Sequence, residues 1–157
     1  FQQFITETNR MNKAEEDVYR RLARRSGLSD AAFWVLYSIE TAPGPVTQTD
    51  IGSTLMLSKQ TINSALKQLE HSGHICLSDG PGRKKYLRLT RQGRALSDRA
   101  IRPALEVERG AFLGLAEEER ASLLALERKY LSLLLRKSEQ IFNISQEESS
   151  NYADQAF

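Results

Sequence analysis

The stretch TQTDIGSTLMLSKQTINSALKQLEHSGHI, residues 47–75, contains the signals for two short helices separated by a tight turn. Thr47, with Asp50 three residues later, offers a short capping box that predicts the start of the first helix. Ser58 is placed to cap the second helix, which is expected to end where Gly73 takes a left-handed conformation. Two short helices joined this closely predict a helix-turn-helix.

Two strand-like segments follow and predict a β-hairpin, or wing. HICLS (74–78) and KYLRLT (85–90) flank a tip that is rich in glycine, proline and cations. Residues of one alternation phase are expected to face the core and those of the other phase to face outward. The inward phase contains Ile75, Leu77, Leu87 and Leu89, and the outward phase contains Cys76, Tyr86 and Arg88.

Helices are predicted on both sides of this unit. Heptad spacing from Phe4 to Leu22 predicts a helix whose interrupted apolar seam lies on several partners. Ser29 is expected to cap a helix from Asp30 to about Thr41, with Phe33, Leu36 and Ile39 in the core.

The segment after the hairpin predicts two more helices. Thr90 should cap a long helix to about Gly114, kinked by Pro103, because a proline ring clashes with the preceding turn. The acidic residues 117–119 are expected to begin a last helix with a broad apolar stripe. That stripe contains Leu123, Leu124, Tyr130, Leu131, Leu134 and Ile141. The polar segment 143–157 is expected to fray unless it docks.

The positive charge is concentrated in one quarter of the chain. Ser58 to Arg94 holds eight cations and two acids, although the net charge of all 157 residues is only +2. Such a concentration is typical of a surface that binds a polyanion. The outer face of the second short helix carries Gln60, Asn63, Ser64 and Lys67, whose amide, hydroxyl and ammonium groups suit base edges and phosphates. The inward face carries Ile62, Ala65, Leu66 and Leu69.

Three segments resemble, in order and spacing, the MarR family of dimeric winged helix-turn-helix transcription regulators. They are LSDAAFWVLYSI (28–39), the stretch 47–75 and GRKKYLRLTRQGRAL (82–96). The resemblance implies a mostly α fold of the α+β class, with long dimerisation helices and recognition helices that enter successive major grooves of double-stranded DNA. The residues expected at the DNA are Ser58, Lys59, Gln60, Thr61, Asn63, Ser64, Lys67, Arg83, Lys84 and Lys85.

The implied organisation has four parts. Residues 1–28 form an N-terminal dimerisation helix, 29–90 the DNA-binding domain, 91–142 the C-terminal dimerisation helices and 143–157 a polar tail. The implied protein is a homodimeric, ligand-responsive repressor that binds a pseudo-palindromic operator. The competing hypothesis is a winged-helix module for protein contacts or a scaffold, which would bind DNA without sequence preference.

Two positions depart from the family pattern. The wing usually carries an aspartate two residues before its tip arginine, and Pro81 stands there instead, ahead of Arg83. Asp79 could take over the hydrogen-bonding role of that aspartate, or Pro81 could rigidify the loop. Ser64 also replaces a cation that many relatives have, which would alter the preferred DNA site.

A small-molecule effector is a further partner that the resemblance implies. Trp34 and Tyr37 lie on the side of the second helix that would border a cleft, and Met11 is the candidate on the first helix. The competing interpretation is that both rings pack at a helical junction, as aromatic residues at helical spacing usually do.

Other chemistry finds little support in the sequence. The single cysteine, Cys76, excludes an intramolecular disulfide and is expected to be an inert thiol and not a sensor. His71, His74 and Cys76 have a loose metal-like spacing without a fourth ligand, so no metal and no cofactor are expected. Phosphate-binding and nucleophile motifs are missing, which predicts that the chain is not an enzyme. Without a signal or membrane-spanning pattern, the expected location is the cytoplasm.

Overall fold

A computed structural model describes the backbone of residues 1–154 and the side chains of residues 1–142. The chain divides into two compact units, residues 1–109 and 110–157. The elements are α1 (Gln2–Arg25), α2 (Asp30–Thr41), β1 (Val46–Thr47), α3 (Gln48–Thr54), α4 (Lys59–His71), β2 (Ile75–Asp79), β3 (Lys85–Leu89), α5 (Arg91–Ala100), α6 (Arg102–Leu113) and α7 (Glu117–Asp154). The fold is therefore mostly helical with a small sheet, as predicted, and α6 runs across the boundary between the units.

Four helices begin at the caps that the sequence predicted. In each case a side-chain oxygen accepts a hydrogen bond from the backbone N–H three residues later, which satisfies a donor that the first helical turn leaves free. The capping residues are Ser29 for α2, Thr47 for α3, Ser58 for α4 and Thr90 for α5. The predicted end at Gly73 is also confirmed, since this glycine has a φ of 70°, and Gly27 after α1 has the same φ.

The core of the first unit is built around α2. The largest fully buried side chains come from α2, α3, α4 and the residue between α5 and α6: Phe33, Val35, Leu36, Ile51, Ile62 and Ile101. Ile39 is only partly buried and packs against this core. The apolar faces of α3, α4 and α5 therefore meet on one central helix, which leaves their polar faces outside.

The sheet contains a strand that the sequence did not predict. Strand β1 has two residues, Val46 and Thr47, and pairs antiparallel with β3, so that the strand order is β1-β3-β2. The alternation of the hairpin is confirmed at Ile75 and Leu87, which are buried, but the prediction was wrong for Leu77, which is 50% exposed. Leu77 lies opposite Leu87, yet it belongs to an edge strand and has a neighbouring strand on one side only.

The long helix predicted from Thr90 to about Gly114 is divided into α5 and α6. The division occurs at the fully buried Ile101, two residues before Pro103. Pro103 has no N–H to donate to the carbonyl of Arg99, and its ring crowds the turn before it. The sequence predicted the position of this irregularity correctly, but it predicted a kink in one helix where the structure has two helices.

We expect Gly93→Ala to lower the free energy of unfolding by at least about 2 kcal/mol, because the start of α5 packs tightly on the backbone before β2. A Cβ at Gly93 would lie 2.7 Å from the carbonyl carbon of His74 and closer still to its oxygen. Urea unfolding measures the loss. The matched control is Gly52→Ala, since a Cβ at Gly52 would meet nothing within 4 Å. Equal stability of the Gly93 variant and the wild type would contradict this close approach.

The second unit contains α7, which begins as predicted at three glutamates. The carboxylate of Glu119 accepts a hydrogen bond of 2.7 Å from the backbone N–H of Ala116, and the ring of Phe112 lies 5.5 Å from the guanidinium of Arg120. The predicted polar tail, 143–157, starts inside this helix. Its side chains and its last three residues lie outside the described part of the structure.

The apolar stripe predicted on α7 is exposed in the single chain. Its members have exposed fractions between 43% and 64%: Leu123, Leu124, Tyr130, Leu131, Leu134 and Ile141. Among the described helices none is long and apolar enough to span a bilayer. The functional division into 1–28, 29–90, 91–142 and 143–157 stays a prediction.

Candidate nucleic-acid interface

Helix α4 presents a polar face outward because its apolar face is held in the core. Ile62, Ala65, Leu66 and Leu69 are buried, which confirms the predicted inward stripe. On the opposite side Gln60, Ser64 and Lys67 are exposed, and Asn63 is half-buried. The predicted outer face therefore exists as a continuous polar surface.

The start of α4 uses part of this polar chemistry for its own cap. The Ser58 hydroxyl accepts from the Thr61 N–H at 3.1 Å and also lies 2.7 Å from the Thr61 hydroxyl. Lys59 is exposed beside this cap. Ser58 and Thr61 thus fix the positive end of the helix dipole, where an anion is favoured, while their hydroxyl groups already bond each other.

Asn63 has a partner that the sequence did not reveal. The Nε2 of Gln48, the first residue of α3, donates a hydrogen bond to the Oδ1 of Asn63. Spacing along α4 identified Asn63, but no local pattern indicates that the start of α3 reaches the middle of α4. The two helices of the motif are therefore joined by a pair of side-chain amides on the candidate face.

The wing is a tight hairpin with three exposed cations near its tip. The N–H of Gly80 donates to the Lys84 carbonyl at 3.0 Å, and Gly82 has a φ of 69°, a conformation that favours glycine. The Tyr86 ring covers Gly80, since a Cβ there would lie 2.8 Å from Cδ2 of the ring. The loop is thereby held in shape, and its cations are Arg83, Lys84 and Lys85.

Asp79 is bonded within the hairpin, and its proposed role as the replacement for the missing wing aspartate stays a prediction. Its carboxylate pairs with Lys85, which lies directly opposite in the hairpin register, and this lysine holds the pKa of Asp79 below its ordinary value. Arg83 makes no hydrogen bond or ion pair with any side chain described in the structure. The tip arginine is therefore exposed, and it is unpaired within the part of the chain whose side chains are described.

The wing tip and the start of α3 lie within electrostatic reach of each other. The pKa of Asp50 is lowered, first by the hydrogen bond from the Thr47 backbone N–H, then by the Thr47 hydroxyl, with a smaller contribution from the positive charge of Lys84. The cationic tip thus extends the positive field of the first unit toward the helix-turn-helix.

A groove of about 660 Å³ runs along α2 beside the loop 42–46 and α3. Trp34 and Tyr37 line it, as the effector hypothesis requires, but Met11 does not; the Met11 side chain is 61% exposed on α1. Among the described side chains that line the groove, Asp50 is the only charged one. The groove can accommodate a small apolar molecule with an aromatic surface beside it.

The same two rings also belong to a packed junction, so both interpretations of them have a structural basis. Trp34 lies 4.8 Å from Tyr19 and 5.3 Å from Tyr37, measured between ring centroids. The hydroxyls of Tyr19 and Tyr37 donate to the two carboxylate oxygens of Glu108, each at 2.7 Å. One carboxylate on α6 therefore ties α1 to α2, a cluster that the sequence did not reveal.

We expect Tyr19 and Tyr37 to titrate later than an ordinary tyrosine. Burial raises the pKa of both phenols, and the hydrogen bond to the Glu108 carboxylate raises it further. A folded-state pKa above the unfolded value, which is about 10, contributes stability that is complete below that pH and is lost as the pH rises toward the folded pKa. The free energy of unfolding should therefore decline above about pH 10.

Absorbance titration of the tyrosinate bands measures this effect. Tyr19→Phe and Tyr37→Phe should each remove part of the late-titrating absorbance, and Glu108→Gln should shift the remainder to lower pH. A late component that survives in the Tyr19 and Tyr37 double variant would contradict the assignment.

The remaining candidates are Cys76 and the two histidines near it. Cys76 is an exposed free thiol on β2, in register with Arg88. His74 bonds Ser72 through Nδ1 at 2.7 Å. No cluster of three ligand side chains that could hold a metal ion occurs among the described residues.

These elements define a winged helix-turn-helix protein: a two-helix motif, a third strand and a cationic hairpin on one core. Residues 26–84 match the model of the MarR family. This segment of the chain is thus similar to the MarR family, in agreement with the sequence resemblance.

Known proteins agree with this assignment. The transcriptional regulator PecS of Dickeya dadantii is 32% identical over 87 residues, which is 54% of this chain and 52% of PecS. The chain therefore aligns with about half the length of this curated relative. The MarR family regulator NMB1585 from Neisseria meningitidis is 28% identical, with a TM-score of 0.67 over 87% of this chain and 95% of that protein. The regulator PA3341 has a TM-score of 0.71 at 23% identity, over 83% of this chain and 97% of its own, which supports the fold. PecS and PA3341 are both named as transcriptional regulators.

Proposed function

We infer that the chain is a sequence-specific DNA-binding transcription regulator that acts as a homodimer on a pseudo-palindromic operator. The observation that carries this proposal is the exposed, unpaired Arg83 at the tip of a wing that is attached to an amide-bearing helix. A protein adaptor gains nothing from amides of base-reading type beside a cationic hairpin. MepR of Staphylococcus aureus, which shares the fold with a TM-score of 0.65 at 24% identity, has been crystallised with DNA, and this supports the proposal.

The parts of the surface have separate roles in this proposal. Gln60, Asn63 and Ser64 read base edges in the major groove. Lys59 and Lys67 neutralise phosphates, and the cations of the wing tip enter or flank the minor groove, where negative potential attracts arginine. Ser58 and Thr61 place the helix dipole toward a phosphate. We also propose a cytoplasmic location, because a DNA-binding role requires access to the genome.

Selection of bound sequences from a random DNA pool tests the proposal directly. A homodimer should enrich a pseudo-palindrome whose half-site centres are about one helical turn, or roughly 34 Å, apart. Binding without any enriched sequence would instead favour the protein-contact module. The full chain is used, because both units contribute to the proposed dimer.

We extend the proposal to a ligand-responsive repressor. The groove beside Trp34 and Tyr37 is the proposed effector site, because it combines volume with two aromatic rings. Staphylococcus aureus MarR, with the same fold at 16% identity, has been crystallised with salicylate and kanamycin. Since Trp34 is the only tryptophan, its fluorescence reports occupancy of the groove. An effector should change this signal and release DNA at the same concentration; DNA release with unchanged Trp34 emission would exclude the groove.

A further inference from the structure

The amide pair Gln48–Asn63 joins the two helices of the motif at the centre of the candidate interface. Gln48 is exposed at the first position of α3, and Asn63 is half-buried in the middle of α4, fifteen residues later. The bond runs from the Nε2 of Gln48 to the Oδ1 of Asn63. The carbonyl side of the Asn63 amide is therefore directed toward α3.

Both ends of this bond are on rigid backbone. The capping box of Thr47 and Asp50 fixes the residue immediately before Gln48. The buried side chains of Ile62 and Leu66 fix the rotation of α4 on either side of Asn63. The amide orientation of Asn63 is consequently set before any ligand arrives, which lowers the entropic cost of using it for recognition.

The orientation of an amide decides which base edge it can match. An asparagine that pairs bidentately with adenine needs its carbonyl for the N6 amino group and its NH₂ for N7. In Asn63 the carbonyl is engaged by Gln48, while the NH₂ group has no hydrogen-bond partner among the described residues. Guanine presents two acceptors, O6 and N7, in the major groove and matches a donor-only group.

We propose that Gln48 is a positioning residue that fixes the Asn63 amide and so makes this position of the half-site select guanine instead of adenine. The inference rests on the proposed function, because it assumes that α4 reads base edges. It assigns a part of the sequence preference to a residue on α3, outside the recognition helix.

The test measures relative affinities for a selected site and for its variants at every base of the half-site. Asn63→Ala should reduce discrimination at one base, where a good contact provides about 5- to 150-fold. Gln48→Met, which keeps the length but cannot donate, should reduce the guanine preference at the same base by about 2- to 10-fold, the usual value of one hydrogen bond. In the Asn63→Ala background the same Gln48 change should have no further effect at that base.

Gln48→Glu provides a second and sharper readout. A carboxylate accepts from the Asn63 NH₂ group, so the amide should turn and present its carbonyl to the DNA. The preferred base should then move from guanine toward adenine or cytosine, whose amino groups donate. The added negative charge weakens binding to all sites alike, and ratios between bases cancel that loss. A merely structural role of Gln48 would not reverse a base preference.

Controls separate the possible failures. Gln92→Met makes the same chemical change at an exposed position of α5 and should leave the base profile as it is in the wild type. Circular dichroism shows whether each variant is folded. If Gln48→Met is unfolded, the base preferences of Gln48→Glu alone test the inference. A wild type without any base preference would overturn both the proposed function and this inference. A wild-type preference that neither Gln48 variant alters at the Asn63-dependent base would overturn only the inference.

Discussion

Raising the salt concentration from about 50 to 200 mM is expected to weaken binding of the proposed dimer to its DNA site by about 10⁴-fold. Each phosphate that a cation neutralises releases condensed counterions, and the logarithm of the binding constant falls with a slope near −0.9 per contact. The first unit offers about four suitable cations per protomer, so a dimer makes about eight contacts and the slope should be near −7. The four are Lys59, Lys67, Arg83 and Lys84, all of which are exposed.

Lys85 is left out of this count because its ammonium group is paired with Asp79. Breaking that pair to contact a phosphate would return little free energy, since one exposed ion pair replaces another. The expected slope thus depends on the particular pairing found in the hairpin, and not only on the net charge of the segment.

Arg83→Ala should make the slope less steep by about 2 for the dimer, one contact for each protomer. It should also weaken binding, with only a modest change in sequence preference. Lys129→Ala, on the exposed surface of α7, is the matched loss of a cation outside the proposed interface and should leave the slope unchanged. Titration by fluorescence anisotropy over a series of salt concentrations gives all three slopes. A wild-type slope close to zero is incompatible with electrostatic docking of the wing.

The features that the sequence predicted well are those with a local cause. The caps Ser29, Thr47, Ser58 and Thr90 each accept a hydrogen bond from an N–H three residues away. Because the contact is local, the residue type at the cap position is enough to predict it. The outer face of α4 follows from its 3.6-residue period in the same way. Local signals of this kind sufficed for the order of the elements and for the outline of the candidate interface.

The features that the sequence did not predict depend on neighbours distant in the chain. Strand β1 has two residues and forms by pairing with the edge of β3. A segment this short contains no alternating pattern that would predict a strand. The exposure of Leu77 follows from strand order, which alternation alone does not contain. The hydrogen bond from Tyr19 to Glu108 spans 89 residues. From the sequence alone, each of the two side chains could equally be exposed to solvent. Such contacts depend on tertiary packing, and no local pattern in a single sequence predicts them.

Placing two glutamates on the apolar stripe of α7, as Leu131→Glu with Leu134→Glu, is expected to convert the protein into a monomer. These leucines are 54% and 53% exposed in the single chain, three residues apart on one side of the helix. Full burial of a leucine contributes about 1.5 to 3 kcal/mol, so a dimer gains from four such side chains across a twofold interface. Buried, unpaired carboxylates would cost several kcal/mol in addition. Analytical ultracentrifugation measures the resulting mass.

Loss of the dimer should also reduce affinity for a palindromic site by about 10² to 10⁴-fold, because the second recognition helix then no longer binds as an intramolecular event. Affinity for an isolated half-site should change little, since the first unit contains the whole of the candidate interface. Ser132→Glu adds a charge to the same turn of α7, outside the apolar stripe, and should leave the protein dimeric. A double variant that sediments as a dimer would show that another surface joins the protomers. A true monomer with undiminished affinity for the palindrome would show that the two half-sites are not bound together, and the bivalent model would then be wrong.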